Sequence, residues 1–204
     1  MYQLFFKHII DFIGAIALLV ILSPIFIVVM IILWVSNNGT PFFVQTRPGK
    51  NEKRIEVLKF KTMNDKKDEN NILLPDSERL TPIGSFIRKT SLDELPQLIN
   101  VLKGDMSFIG PRPLLVRYLP YYTKKERIRH SIKPGITGLA QVSGRNLLNW
   151  NSRLEKDVIY AENISFSLDL KILFQTIKNV ITSKDVVVDP NSVIEDLDES
   201  RKQN

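Results

Sequence analysis

Phe12-Ile13-Gly14-Ala15-Ile16-Ala17-Leu18-Leu19-Val20-Ile21-Leu22-Ser23-Pro24-Ile25-Phe26-Ile27-Val28-Val29-Met30-Ile31-Ile32-Leu33-Trp34-Val35 holds no charged residue and is almost wholly apolar. At about 1.5 Å of rise per helical residue the run can cross roughly 30 Å of hydrocarbon, and it is too long for the apolar core of a secretory leader. A membrane helix is therefore the first element of the fold. Ser23-Pro24 sits at its middle. Proline removes an intrahelical hydrogen bond and crowds the carbonyl four residues back, so a kink is expected there, with the Ser23 hydroxyl placed to satisfy a freed carbonyl. Two topologies meet these conditions, a kinked single span and a re-entrant helix that returns to its starting side. Arg47, Lys50, Lys53 and Arg54 follow the segment and place the main domain in the cytoplasm by the positive-inside tendency. Upstream, Lys7 and the amino terminus favour the same side while Asp11 offsets them, so flanking charge leaves both topologies standing.

With residues 1–36 assigned to the membrane, roughly 170 residues remain, enough for one compact domain. Residues 37–188 are read as that domain and residues 189–204, polar and net acidic, as a frayed tail. The net charge is +6 and the pI about 9.5. Such a surface attracts anionic lipid headgroups, by roughly 1 kcal/mol per Lys or Arg near the membrane. Nucleic acid also attracts basic chains, but the apolar segment argues against it as a partner. Absence of cysteine excludes disulfides and thiolate metal sites and suits a reducing compartment.

The pattern beyond the membrane segment is α+β and mainly helical. Phe42–Arg47 and Arg54–Lys61 read as strands joined by the turn Pro48-Gly49-Lys50-Asn51, a short β-hairpin in which Ile55 and Val57 share one face and Lys59 is either inward on that face or a solvated strand lysine. Thr81-Pro82 has the form of an N-cap and first helical residue, opening a helix that runs to Arg88. Leu95, Leu98, Ile99 and Leu102 stripe a second helix, expected from about Ser91 and closed at Lys103-Gly104. Leu119 to Arg129 mixes aromatics with cations, as interfacial amphipathic helices do. The loops Lys133–Gly138 and Ser143–Asn146 carry glycines that could bring backbone donors close to a ligand. Two helices follow from Trp150 to Ser183, and Leu170, Leu173, Phe174, Ile177, Val180 and Ile181 on the second are expected to be core.

Chemistry concentrates in Arg88-Lys89-Thr90-Ser91-Leu92-Asp93-Glu94-Leu95-Pro96-Gln97 and in Gly110-Pro111-Arg112-Pro113. Adjacent carboxylates beside fixed cations suit phosphoryl transfer, because a carboxylate attacks phosphorus only when the repulsion between two anions is cancelled. Pro111 and Pro113 restrict the backbone around Arg112 and make its planar guanidinium a pre-positioned fork for phosphate. Structural readings compete with these. Ser91-Leu92-Asp93-Glu94 also matches a capping box, which accounts for Glu94 better than for Asp93, and Arg112 also fits a rigid surface turn. Two other function classes are open: an Asp-x-Asp glycosyltransferase using Asp196-Leu197-Asp198, although no strand surrounds it, and a non-catalytic membrane-surface adaptor, which explains charge and anchor but not the ordered motifs.

Lys59-Phe60-Lys61-Thr62-Met63, Ser91–Gln97, Lys103-Gly104-Asp105-Met106-Ser107 through Pro113, and Pro134-Gly135-Ile136-Thr137-Gly138 together closely resemble the monotopic phosphoglycosyl transferases, the bacterial sugar transferase family. The resemblance covers nearly the whole chain, and length and the Ser23-Pro24 pair are most like the small PglC-type members that begin glycoprotein glycan assembly. It implies transfer of a sugar 1-phosphate from a UDP-sugar to undecaprenyl phosphate with release of UMP, by a ping-pong route at the cytoplasmic face of the bacterial inner membrane. Asp93 would be the nucleophile, with Mg²⁺ held at Asp93 and Glu94, and Glu94 assisting metal placement or acceptor deprotonation. Lys59, Arg88, Arg112, Arg145 and Asp157 would bind substrate. Ser23-Pro24 would turn a re-entrant helix. Donor sugar and oligomeric state are not specified by the motifs, and a homodimer is compatible with them.

Overall fold

In the computed structural model, which describes residues 2–144, 148–182 and 196–202, the apolar run lies within one continuous helix, α1, Lys7–Ser36. Pro24 lies inside it, and Ser23 Oγ donates to the Val20 carbonyl at 2.8 Å. That carbonyl is the acceptor an N–H at position 24 would have used, so the serine replaces the bond its neighbour cannot make. Only 11% of the most apolar window of α1 is covered by the rest of the protein. An apolar surface of that extent belongs in lipid, and the protein is membrane-associated.

Both ends of α1 are nonetheless seated on the same body. Near its start, Lys7 Nζ lies 2.6 Å from Asp169 Oδ2, Asp11 Oδ1 accepts from the Phe108 N–H at 3.2 Å, and Ala15 packs with Ile55, Val57, Val101 and Met106. Near its end, Val29 and Leu33 pack with Phe60 and Ile87, and Asn37 Nδ2 donates to the Lys61 carbonyl at 2.6 Å. The Phe60 ring lies 5.0 Å from that of Phe26 and 5.4 Å from that of Phe42, which ties helix to hairpin.

Strands β1 (Phe42–Pro48) and β2 (Arg54–Phe60) form the expected antiparallel hairpin, with Arg47 opposite Ile55, Gln45 opposite Val57 and Phe43 opposite Lys59. Among the described residues the outer side of β2 has no partner strand. Asn100 takes that place: its Oδ1 accepts from the Leu58 N–H (3.0 Å) and its Nδ2 donates to the Glu56 carbonyl (2.6 Å). One buried amide thus locks β2 to the helix Gln97–Leu102. A second, parallel pair joins β3 (Ser107–Ile109) to β4 (Gly135–Thr137). A Cβ on Gly135 would stand 2.1 Å from the Gly110 nitrogen, so these motif glycines allow two backbones to touch. Their donors serve the chain itself, Gly110 N–H to Thr137 O and Gly135 N–H to Pro111 O, rather than presenting themselves to a ligand as the loop reading expects.

Four elements differ from expectation. Ser91 does not open a helix: it has φ 58°, caps nothing, and is followed by a 3₁₀ turn at Leu92–Glu94, with the helix starting at Gln97. The Phe166–Ile181 helix is inverted relative to its expected core face, with Phe174 63% and Ile181 79% exposed while Asp169, Ile172 and Asn179 point inward. Polar residues occupy its inner face because Asp169 must meet Lys7 and Thr176 meets Thr137 (2.8 Å). The segment from Val116 to Ser131 forms two 3₁₀ turns that bury Tyr118, Tyr122 and Arg129, so it is core as much as interface. Finally, Leu197–Lys202 is not frayed. It is a helix whose Leu197 is fully buried against Tyr118, Tyr122, Trp150 and Leu154, and Arg201 pairs with Glu126 at 2.5 Å.

Replacing Asn100 by Ala strands one buried donor and one buried acceptor on β2. The expected cost is about 2–4 kcal/mol in denaturant unfolding of the detergent-solubilised protein. A change under about 0.5 kcal/mol would mean that Asn100 does not hold the strand.

Candidate active site

The helix Pro82–Lys89 is capped by Thr81, whose Oγ1 accepts from the Gly84 N–H at 2.9 Å. The left-handed turn at Ser91 follows it and turns Asp93 and Glu94 back towards the hairpin. Glu94 therefore does not close a capping box. Its Oε1 accepts from Lys59 Nζ at 2.9 Å and from Arg112 Nη2 at 2.8 Å, because two cations offer more than one backbone donor. Lys59 takes the inward one of its two open placements, on the side of Ile55 and Val57, and also lies 3.8 Å from Asp93 Oδ2. Arg88 donates from Nε to Thr62 Oγ1 at 2.8 Å and is near enough to lower the proton affinity of Asp93.

The two adjacent carboxylates, 15% and 17% exposed, are pulled apart electrostatically. Burial first, and then the negative charge of Glu94, push the Asp93 pKa up to about 6 against the opposing pull of Lys59, Arg112 and Arg88. Burial acts to raise Glu94 as well, but Arg112 and Lys59 outweigh it and hold that carboxyl well below the usual range. At neutral pH Glu94 is a fixed anion locked to its cations, while Asp93 has no hydrogen-bond partner among the described residues and a more basic carboxylate. A nucleophile needs that state.

Arg112 is held from behind. Its backbone carbonyl accepts from Arg129 Nη2 at 2.6 Å, and Arg129 is paired with Asp157 through Nε (3.0 Å) and Nη2 (2.8 Å). Asp157 and Arg129 are both buried. Asp157 is thus buried behind Arg112, with its Oδ2 bonded to Arg129, and bears on the site by positioning Arg112. The structure thus brings together Asp93, Glu94, Lys59, Arg88 and Arg112, and sets Asp157 behind them. Arg145 lies outside the described residues.

Beside the dyad opens a cleft of about 240 Å³, lined by Lys59 and Arg112, by Arg47 and Arg153, and by an aromatic wall at Tyr118 and Trp150. Arg47 was legible only through the hairpin register, which sets it on the same face as Lys59. Arg153 and the supporting Arg129 carry no local signal, since helix and 3₁₀ turn bring them in from distant positions. Among the described residues no cluster of three or more metal-ligating side chains exists. Among the described residues nothing hydrogen-bonds to Asp93 or to Glu94 Oε2, and a two-carboxylate set with an open side suits a hard dication that completes its shell with water and phosphate. Asp196 and Asp198 do not form an Asp-x-Asp site: both pair with Arg117, and Asp196 also takes the Tyr118 hydroxyl.

Residues 2–183 match the bacterial sugar transferase family. The chain is 49% identical over 180 residues to an uncharacterized sugar transferase, EpsL, of Bacillus subtilis, covering 88% of this chain and 89% of that one. It is 38% identical over 182 residues to a UDP-glucose:undecaprenyl-phosphate glucose-1-phosphate transferase of Klebsiella pneumoniae, and 40% identical over 197 residues to an undecaprenyl-phosphate galactose phosphotransferase of Salmonella typhimurium. These alignments take in 84% and 87% of this chain but only 39% and 40% of those longer proteins.

A raised Asp93 pKa means that ionising this group opposes folding. The effect is absent below about pH 4 and complete above about pH 6, where it amounts to at most about 3 kcal/mol. Asp93→Asn is therefore expected to raise the melting temperature by a few degrees at pH 7.5 and by little at pH 4. Equal melting temperatures at both pH values would show that Asp93 is not electrostatically strained.

Proposed function

Because the chain belongs to the bacterial sugar transferase family, we propose that it transfers a sugar 1-phosphate from a UDP-sugar to undecaprenyl phosphate, releasing UMP and initiating lipid-linked glycan assembly. The observation that carries this reading is the division of the Asp93-Glu94 pair into a cation-locked anion and an unbonded, more basic carboxylate. In the first half-reaction the Asp93 carboxylate attacks the β-phosphorus. A P–O bond to Asp93 forms, the bond from that phosphorus to the bridging oxygen breaks, and UMP departs with the electron pair. In the second, a phosphate oxygen of the polyprenol phosphate attacks the same phosphorus and Asp93 leaves as a carboxylate.

Lys59 and Arg112 order Glu94 and place positive charge beside the reacting phosphoryl group. Arg88 adds a third cation. Asp93 and Glu94 would hold Mg²⁺, which supplies charge neutralisation between the attacking carboxylate and the diphosphate. The low proton affinity of Glu94 makes it a poor base and favours its role in placing the metal over deprotonating the acceptor. The adaptor reading gives no reason to assemble this pair.

The re-entrant topology is part of the same reading. A helix crossing a bilayer carries its far end roughly 30 Å away from a domain on the near side, whereas here Lys7 and Asn37, at opposite ends of α1, both bond to one body. The exposed apolar face of Phe166–Ile181 adjoins the start of α1, where the rings of Tyr2 and Phe166 lie 5.8 Å apart, which supports a seat for it in the headgroup boundary beside α1. The native chain has no cysteine, so Gln3→Cys and Lys53→Cys can each be probed alone with an impermeant maleimide. Both are expected to label in inverted vesicles and neither in intact spheroplasts; labelling from opposite sides would establish a span.

Activity is tested by UMP release from UDP-glucose, UDP-galactose and their N-acetyl relatives, with undecaprenyl phosphate and Mg²⁺. Asp93→Asn is expected to abolish release and covalent trapping of sugar phosphate, since an amide is a poor nucleophile. Arg112→Lys is expected to lower kcat/KM about 10²-fold or more, because a point charge does not replace the planar fork. Near-normal turnover of Asp93→Asn would refute the covalent route.

A further inference from the structure

The cleft beside the dyad and the helix Leu197–Lys202 share a wall. Leu114, Tyr118 and Trp150 line the cleft, and the same three residues belong to the core cluster that Leu197 completes. Leu197 is fully buried there, although its helix lies beyond residues 2–183, the part of the chain that matches the family. Polar contacts hold the helix on either side of that leucine. Asp196, itself on the cleft wall, accepts from Arg117 and from the Tyr118 hydroxyl. Arg201 forks onto Glu126 through Nη1 (2.7 Å) and Nη2 (2.5 Å), and its Nη1 also donates to the Tyr121 carbonyl at 2.6 Å. A bidentate guanidinium–carboxylate pair fixes direction as well as distance, so the helix docks in one register.

What rests on this docking is the placement of Arg112. Leu114 follows it by two residues, and Pro113 between them leaves the backbone little freedom, so the packing of Leu114 sets where Arg112 leaves the core. Close-packed interiors pass a displacement on instead of absorbing it, and truncating Leu197 would leave a void into which Leu114 and Tyr118 can relax. We propose that the helix Leu197–Lys202 is a working part of the donor cleft. Leu197 and Arg201 are positioning residues: they act by holding the Arg112–Tyr118 wall in the geometry that receives the donor nucleotide. This inference rests on the reaction proposed above, which puts the β-phosphorus at Asp93 and leaves the adjoining cleft for the rest of the nucleotide.

The test measures UMP release from the UDP-sugar that the wild type uses, at saturating undecaprenyl phosphate and Mg²⁺, together with calorimetric binding of UMP. It compares the full-length wild type with Leu197→Ala, Leu197→Met and Arg201→Gln, each well below its own melting temperature in the same detergent. A misplacement of about 1 Å at a reacting centre can cost roughly 10²-fold. Leu197→Ala and Arg201→Gln are therefore expected to raise KM for the donor and weaken UMP binding about 10-fold, and to lower kcat/KM about 10- to 100-fold. Leu197→Met, which keeps the volume, is expected to stay within about threefold of the wild type. A partly unfolded preparation lowers kcat in proportion to its inactive fraction and leaves KM as it was, so the shift in KM separates positioning from loss of fold. Should Leu197→Ala not fold, Arg201→Gln at the rim of the same contact carries the test. Lower melting temperatures with donor KM and UMP affinity unchanged would overturn the inference and leave the helix a support of the fold alone. A wild type that releases no UMP from any UDP-sugar would overturn the underlying reaction, and this inference with it.

Discussion

Asp169 carries the arrangement on which everything else rests. Its buried carboxylate accepts from Tyr2 (2.7 Å), Lys7 (2.6 Å) and Tyr160 (2.6 Å), and so joins the start of the apolar helix to two helices of the globular body. One cation matches one anion, and two phenols fill the remaining acceptor sites, which makes the charge tolerable away from water. Removing any one partner would leave a buried charge short of compensation. A membrane helix attached only by apolar contacts would be free to slide; here a polar pin sets its register.

From that pin a short covalent path leads to the chemistry. The Tyr160 hydroxyl also bonds to the Ile109 carbonyl (3.1 Å), Asp11 bonds to the Phe108 N–H, and both residues belong to β3. Its next residues are Gly110, Pro111 and Arg112. The strand that seats the membrane helix therefore continues directly into the arginine that holds Glu94. Arg129, anchored by Asp157, braces the same arginine from the opposite side. Lipid surface and dyad stand on one rigid connection.

The site is built with more positive than negative charge. Lys59, Arg88 and Arg112 surround two carboxylates, and Arg47 adds a further cation to the wall of the adjoining cleft. Like charges held together out of water are costly to folding, and Asp93, pushed up by burial and by Glu94, shares that strain. An anion bound among these cations would relieve that strain.

Where a residue type at a given spacing permits only one local solution, sequence alone was sufficient: the apolar helix with Ser23 answering Pro24, the hairpin and the Thr81 cap. Tertiary structure decided whatever depended on which partner was nearer. Glu94 left its capping box for two cations, Asp157 went to Arg129, and the Phe166–Ile181 helix turned its apolar face outward because its inner face had to deliver Asp169 to Lys7. The tail helix likewise found its place through a single leucine, Leu197, buried among rings from distant positions. Periodicity reports that a face is apolar; only the assembled chain determines whether protein or lipid covers it, because both remove that face from water equally well.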